Sequence, residues 1–423
     1  MKKNVFALLL LVCVQISFAQ LKNSLSGSVI DKKTKKEIPF AMIAVPDIHA
    51  TTQSDSDGKF AFNTIPAATY ELQVSCVGYK SKSVLVTLNQ QKNIVIELDN
   101  SNVELSEVVV TGTSKATQIR KSPLPIISIN KEYLTTTVAT NVIDAIAKIP
   151  GVNTVTTGPN VSKPYIRGLG FNRILTLFDG IRQEGQQWGD EHGIEIDKYL
   201  IDKVEVIKGP ASLMYGSDAL AGVVNLIPNQ PTNSDKISGN FTSEFQTNNG
   251  MFGESLFLSG NKNDMEWGAR ISKRNATNYQ NSVDGRVYHT AYNEVAANAF
   301  VGIHKKWGFS DLNLSLFDNK QEIPDGSRDS ISRKFTQQIY EDDHYRPIVS
   351  DGDLSTYRIG VLHQRVQHYR AFWKNMLFFD NSRLSVNIGF QKSRRREYNH
   401  PEVPYQGTPG LDLQLNTLNI LNR

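Results

Sequence analysis

Beyond Gln230 the chain keeps a two-residue rhythm that only extended backbone can use. Met265, Trp267, Ala269 and Ile271 alternate with Glu266, Gly268, Arg270 and Ser272. Val295, Ala297, Ala299, Val301 and Ile303 alternate with Ala296, Asn298, Phe300, Gly302 and His304, and Leu384, Val386, Ile388 and Phe390 with Ser385, Asn387, Gly389 and Gln391. Successive side chains of a strand point to opposite faces, so each run presents one apolar and one more polar side. A transmembrane strand between lipid and a wet lumen needs that pattern, and a soluble sandwich can show it too. After the first twenty residues no apolar stretch approaches the roughly 20 residues of a spanning helix, which leaves an exported soluble β protein or a membrane barrel.

Export is read from the first twenty residues. Lys2 and Lys3 precede an apolar run from Phe6 to Val14, and Ser17-Phe18-Ala19 forms a small-x-small cleavage site before Gln20, so residues 1–20 are expected to be a removed signal peptide. Cys13 falls within it and Cys76 is alone in the mature chain, which excludes an internal disulfide. The net charge of +4 over 423 residues is small and dispersed, giving no support for nucleic-acid binding.

Residues 21–99 read as a small β-sandwich. Strands are expected at 27–30, 40–45, 59–62, 70–77 and 83–88, with Asp57-Gly58 as a hairpin turn. Gly27-Ser28-Val29-Ile30-Asp31, Pro39-Phe40-Ala41, the run from Ser54 to Phe60 and Val77-Gly78-Tyr79 resemble the carboxypeptidase regulatory-like domain that precedes many receptors of the Bacteroidetes type. Asp55 and Asp57 suggest a calcium loop, but the EF-hand acid twelve residues from its start is absent, so a plain turn is expected.

In the linker at 103–121, Glu107, Val108, Val109, Val110 and Thr111 form a short β-prone run on a polar tether. Such a strand can add itself to a partner's sheet edge through backbone hydrogen bonds. It is similar to the TonB box of outer-membrane receptors, which implies TonB, with its inner-membrane energising complex, as partner.

Residues 122–230 mix helical and strand patterns. A helix is expected over 140–149, stopping at Pro150-Gly151, and strands at 174–178, 203–207 and 223–227. Four ordered blocks resemble the plug domain of TonB-dependent receptors: the run from Asp144 to Val152; Tyr165-Ile166-Arg167-Gly168-Leu169-Gly170; Leu177-Phe178-Asp179-Gly180-Ile181-Arg182; and the run from Val204 to Asn225. The resemblance implies a multidomain chain: β-sandwich, α+β plug, and a transmembrane antiparallel β-barrel beginning near residue 235 and incomplete at 423. A barrel of about 22 strands is implied, whereas 235–423 supplies about eight, so the sequence is expected to be part of a longer protein. Arg167 and Arg182 are expected to reach carboxylates on the barrel wall. Residues 319–356 read as a long extracellular loop.

The implied function is energy-coupled import across the cell outer membrane, in contact with outer-membrane lipid and with the N-terminal domain in the periplasm. No catalytic residue and no resident cofactor is assigned. The ligand candidates are Gln187, Trp188, Asp190, Glu191 and His192 in one glycine-flanked loop. Asp190, Glu191 and His192, helped by His344 and His400, carry side chains suited to a metal ion. That loop and the 396–400 stretch resemble the zinc-uptake subgroup, so a metal ion or metal chelate is the expected ligand. Siderophore, haem or cobalamin uptake stays open, and glycan import of the starch-utilisation type is disfavoured because Phe178-Asp179-Gly180-Ile181-Arg182 lacks that group's Val-Asp-Gly-Val-Pro. A zinc hydrolase would want a His-Glu-x-x-His helix, which the sequence does not contain.

Overall fold

Seven strands build the N-terminal unit: β1 (Leu25–Asp31), β2 (Met42–Val45), β3 (Ala50–Gln53), β4 (Lys59–Phe62), β5 (Thr69–Ser75), β6 (Lys82–Thr87) and β7 (Asn93–Leu98). They form two sheets, ordered β4-β1-β7 and β3-β2-β5-β6, whose inward residues, among them Val29, Ile43, Phe62, Tyr70 and Ile96, make one core. Strands β3 and β7 were not expected; β7 pairs parallel to β1. Asp55 Oδ1 accepts from the amides of Asp57 (2.9 Å) and Lys59 (2.8 Å), so this carboxylate is used in closing the turn.

The structure is a computed structural model. It describes residues 24–422 except 49, 63–64, 66–67, 77–78, 89–92, 100–107, 110–116, 119–124, 186–192, 210–214, 230–236, 263, 306, 380–381 and 403–408. The expected signal peptide lies outside the described residues, as do Glu107, Val110, Thr111, Gln187, Trp188, Asp190, Glu191 and His192. Of the linker, β8 (Val108–Val109) pairs antiparallel with β9 (Thr117–Gln118).

The α+β unit follows with β10 (Ile126–Asn130), α1 (Lys131–Thr136), α2 (Val142–Ile146), β11 (Val152–Gly158), β12 (Val161–Ile166), β13 (Ile174–Phe178), β14 (Ile181–Arg182), β15 (Ile201–Lys208) and β16 (Gly222–Pro228). Its main sheet is ordered β10-β15-β16-β13-β14. Helix α2 is shorter than expected. The Asn141 side chain caps it by accepting from the amides of Ile143 and Asp144. At the other end Ile149 N bonds Ile146 O (3.1 Å), a tight turn that takes the chain out of the helix before Pro150, and Gly151 follows at φ 78°.

The alternating region becomes β17 (Ser238–Gln246), β18 (Met251–Lys262), β19 (Met265–Ala276), β20 (Gln280–Asn281), β21 (Gly285–Arg286), β22 (Tyr292–Lys305), β23 (Gly308–Glu322), β24 (His363–Phe379), β25 (Ser382–Tyr398) and β26 (Leu411–Asn422). Eight of these form one antiparallel sheet, β17-β18-β19-β22-β23-β24-β25-β26, with β20 and β21 making a separate hairpin. One face exposes Ile271, Val301, Leu314, Trp373, Phe390, Leu418 and Ile420; the other buries Glu266, Arg270, Ser272 and Arg274. Apolar outside and polar inside is the barrel arrangement.

Two-residue connections at 263–264, 306–307 and 380–381 mark one end of this wall. The opposite end carries 277–291, 323–362 and 399–410; the longest begins later than expected because β23 continues to Glu322. The sandwich sits against the end with the short connections. Phe309 joins its core, Met376 and Phe378 pack on it, and the Tyr70 and Phe378 rings meet edge to face at 6.3 Å.

Candidate functional site

The inward face of the wall meets the α+β unit through two polar clusters. In the first, Arg274 on β19 binds Glu294 on β22 through Nε (3.0 Å) and NH2 (2.8 Å to each oxygen). The same guanidinium donates across the gap to Thr140 O (2.5 Å) and Asn160 Oδ1 (3.1 Å), while Asn160 Nδ2 donates to Glu294 (2.8 Å). Both ionised groups are nearly fully buried, which costs several kcal/mol per ion unless every donor and lone pair finds a partner. The fork geometry of arginine serves two partners at once.

Beside it, Asp197, Lys198 and Tyr199 enter β15 as a polar run. Ser272 Oγ donates to Asp197 (2.7 Å), Lys198 Nζ lies 2.7 Å from Glu244 on β17, and the Tyr199 hydroxyl donates to the same carboxylate (3.0 Å). Burial and the neighbouring Arg274 hold the Lys198 ammonium below the usual lysine range, against the pull of Glu244.

The second cluster lies under β24 and β25. Glu195 Oε2 contacts His368 Nδ1 (2.5 Å) and accepts from Ser393 Oγ (3.1 Å). Arg370 donates to Gln183 Oε1 (2.9 Å) and to Glu195 O (2.5 Å). Gln391 accepts from the Glu184 amide (3.3 Å) and donates to Arg182 O (2.7 Å). Lys374 pairs with Asp179. Burial pushes the Glu184 carboxyl above its usual range. Apolar contact is smaller: Phe372 is the buried wall residue within the unit's main core, with its ring 5.9 Å from Phe178.

Hydrogen-bonded and ionic contacts of this kind are exchangeable with water at modest net cost, whereas separating an apolar core exposes oily surface.

Arg182 departs from expectation. Its guanidinium stays within its own unit, on Asp218 (2.5 Å) and Glu184 (3.4 Å), because the turn carrying Asp218 packs on the neighbouring β13. Its carbonyl, not its side chain, touches the wall. Arg167 sits in a left-handed turn at φ 51°, is exposed, and makes no ion pair with a described residue. The expected convergence of His344 and His400 on a metal is not formed either. His344 pairs with Asp342, His400 with Glu341 (3.1 Å), and Asp343 with Arg346 (3.0 Å), so each group is matched locally. Among the described residues no three His, Cys, Asp or Glu side chains are grouped to hold an ion.

The contacts that do join the two units went unpredicted. Continuing the β19 alternation from Ser272 to Arg274 places that arginine inward, the one signal that pointed to it.

Residues 118–223 match the family described as TonB-dependent Receptor Plug Domain, and residues 25–110 match the CarboxypepD_reg-like domain. Residues 118–223 are a plug domain of the TonB-dependent receptor kind. The α+β unit is thus the receptor's plug, and the eight-stranded sheet is barrel wall.

Among curated relatives, the iron-regulated outer membrane virulence protein of Vibrio cholerae is 40% identical over 127 residues, covering 28% of this chain and 19% of the relative. The hemin receptor of Yersinia enterocolitica is 34% identical over 128 residues, covering 30% and 18%. The chain thus matches about a fifth of these relatives' length. The structure of the pyoverdine outer membrane receptor FpvA from Pseudomonas aeruginosa PAO1 superimposes with a TM-score of 0.52 at 18% identity, over 69% of this chain and 40% of that one. At that identity the superposition speaks for the shared fold.

Proposed function

We propose that this receptor imports a metal chelate, of the iron–siderophore or haem kind, across the outer membrane and performs no chemistry on it. The observation that carries the reading is the plug's polar seat: Arg274, Glu244, His368 and Arg370 hold the plug by contacts that water can replace. A plug that must yield to mechanical pull and reseat needs such an interface. The names of the relatives, an iron-regulated outer-membrane protein and a hemin receptor, favour iron-bearing cargo. A chelate brings its own ligands, which suits a chain in which His344 and His400 are already paired with carboxylates.

Coupling is assigned to residues 107–111. Among the described residues strand β8 pairs with the two-residue β9, a weak partner that TonB can displace by adding its own strand. The N-terminal sandwich, packed at the end with short connections, faces the periplasm in this reading, and the long loops at the opposite end receive the ligand.

Two experiments test this. Deleting residues 107–111 in the full-length receptor should abolish uptake of ferric chelate or haem and leave binding intact; unchanged uptake refutes the coupling. Titration calorimetry with zinc, ferric chelates and haem, beside an Asp190→Ala/Glu191→Ala/His192→Ala variant, identifies the cargo class. Saturable binding of free zinc that the variant loses would replace the chelate reading with one of ion transport.

A further inference from the structure

The outward face of the wall changes character abruptly near its long-loop end. On β25 the outward row reads Leu384, Val386, Ile388, Phe390 and then Lys392, Arg394, Arg396; on the paired β24 it reads Trp373, Ala371, Tyr369 and then Gln367, Arg365. Strand β23 ends its outward row with Asp318 and Lys320, opposite Gln367 and Arg365. Lys320, Arg365, Lys392, Arg394 and Arg396, joined by Arg358 from the long loop, thus gather above the apolar band, with Asp318 and Asp412 as the carboxylates among them. The change is local, because at the same end of β18 and β19 the outward Glu254 stands opposite Lys273, one of each sign.

These cations are ordered. Arg365 makes a forked pair with Asp318 (2.9 and 2.5 Å), Arg394 does the same with Asp412 (2.9 and 2.5 Å), and Arg396 donates to Gln367. Between Asp318, Lys320 and Arg365 on the strands and Tyr357 and Arg358 on the loop lies an open cavity of about 470 Å³, with Val295 also lining it.

A strand advances about 3.3 Å per residue, so Lys392 sits roughly 7 Å beyond Phe390 and Arg396 roughly 14 Å further. Those heights place the cations at the headgroup layer if Trp373, Ile388 and Phe390 lie in hydrocarbon. They also face away from the lumen, where imported cargo passes. A cavity that combines guanidinium and ammonium groups with an apolar residue suits an anionic head carrying acyl chains.

We propose that this patch binds the phosphorylated head of a lipid in the outer leaflet. The proposal rests on the reading of this sheet as outer-membrane barrel. Each basic residue near an anionic lipid surface contributes about a factor of five in affinity, so three of them contribute on the order of a hundredfold.

The test titrates the purified full-length receptor in detergent with lipid A and with lipid A stripped of its phosphates, counting bound lipid by native mass spectrometry. The phosphorylated form should bind on the order of a hundredfold more tightly. An Arg365→Gln/Arg394→Gln/Arg396→Gln variant should lose that preference and the corresponding lysine variant keep most of it. Equal binding of the two lipids by the unaltered chain overturns the proposal without reference to any variant. So does displacement by inorganic phosphate, which assigns the patch to a soluble anion. Flotation with phospholipid vesicles reports separately whether the chain enters a bilayer, so failure of the barrel reading shows there and not in the lipid comparison.

Discussion

Glu195 Oε2 lies 2.5 Å from His368 Nδ1, a buried side-chain contact that ties the plug to strand β24 of the wall. Burial pushes the Glu195 carboxyl up, but the hydrogen bond and charge of His368, with Arg395 and Arg370 nearby, outweigh it and hold the group below its usual range. A carboxyl depressed in the folded state contributes stability that is full above its unfolded value, about 4.3, and lost as pH falls through the lower folded value. The carboxylate's own contribution should therefore persist from neutral pH down to about 4.3. Glu195→Ala removes one partner of a buried pair, a change that costs about 3–5 kcal/mol. Hydrogen–deuterium exchange should then show residues 194–200 opening faster with the sandwich unaffected, and unchanged protection would remove Glu195 from the seat.

Arg274 and Glu294 make the corresponding test on the other side. Arg274→Ala strands a buried carboxylate and should destabilise the receptor by about 3–5 kcal/mol, whereas Arg274→Met/Glu294→Leu removes both charges and should recover most of the loss. Urea unfolding followed by heat-modifiable electrophoretic mobility reads both. If the double variant is as unstable as the single, the contacts to Thr140 and Asn160 matter more than the ion pair.

The wall was legible because lipid imposes its own rule: Met265 to Ser272 must alternate for one face to meet hydrocarbon, and the observed strand spans Met265–Ala276. The plug was legible through its four blocks. What joins them was not, since which wall residue faces which plug residue depends on register and on the depth at which the plug sits. Arg182 illustrates the limit: its charge marked it as a contact, but only the fold shows Asp218 beside it. Strand β7 escaped notice because Asn93–Leu98 follows the polar sequence Asn89-Gln90-Gln91-Lys92 and pairs parallel with the distant β1.

Gly253 on β18 leaves room for the plug. A Cβ there would lie 2.2 Å from the Tyr199 hydroxyl and 3.3 Å from Arg274 Cγ. Gly253→Ala should force Tyr199 away from Glu244 and cost about 1–3 kcal/mol by overpacking. Tyr199→Phe removes the crowded oxygen, so the double variant should be more stable than the sum of the single effects requires. A double-mutant cycle on unfolding measures the coupling; simple additivity would place the crowding elsewhere.

Acid should loosen the long-loop end. His289, in the connection 277–291, is 3% exposed and stacks on Tyr288 at 3.8 Å. Burial, with smaller effects from Arg346 and His363, outweighs a backbone hydrogen bond at Ile323 and lowers the imidazole from the ordinary 6.5 to about 4. A base depressed in the folded state is neutral there while its unfolded form takes up a proton, so its contribution is full above pH 6.5 and declines as pH falls toward 4. The interval corresponds to about 3 kcal/mol at most. Protection of residues 277–291 should fall across that window, and His289→Gln should flatten the dependence. A loop whose exchange is level between pH 7 and pH 4 would show that His289 stays reachable by protons without any opening.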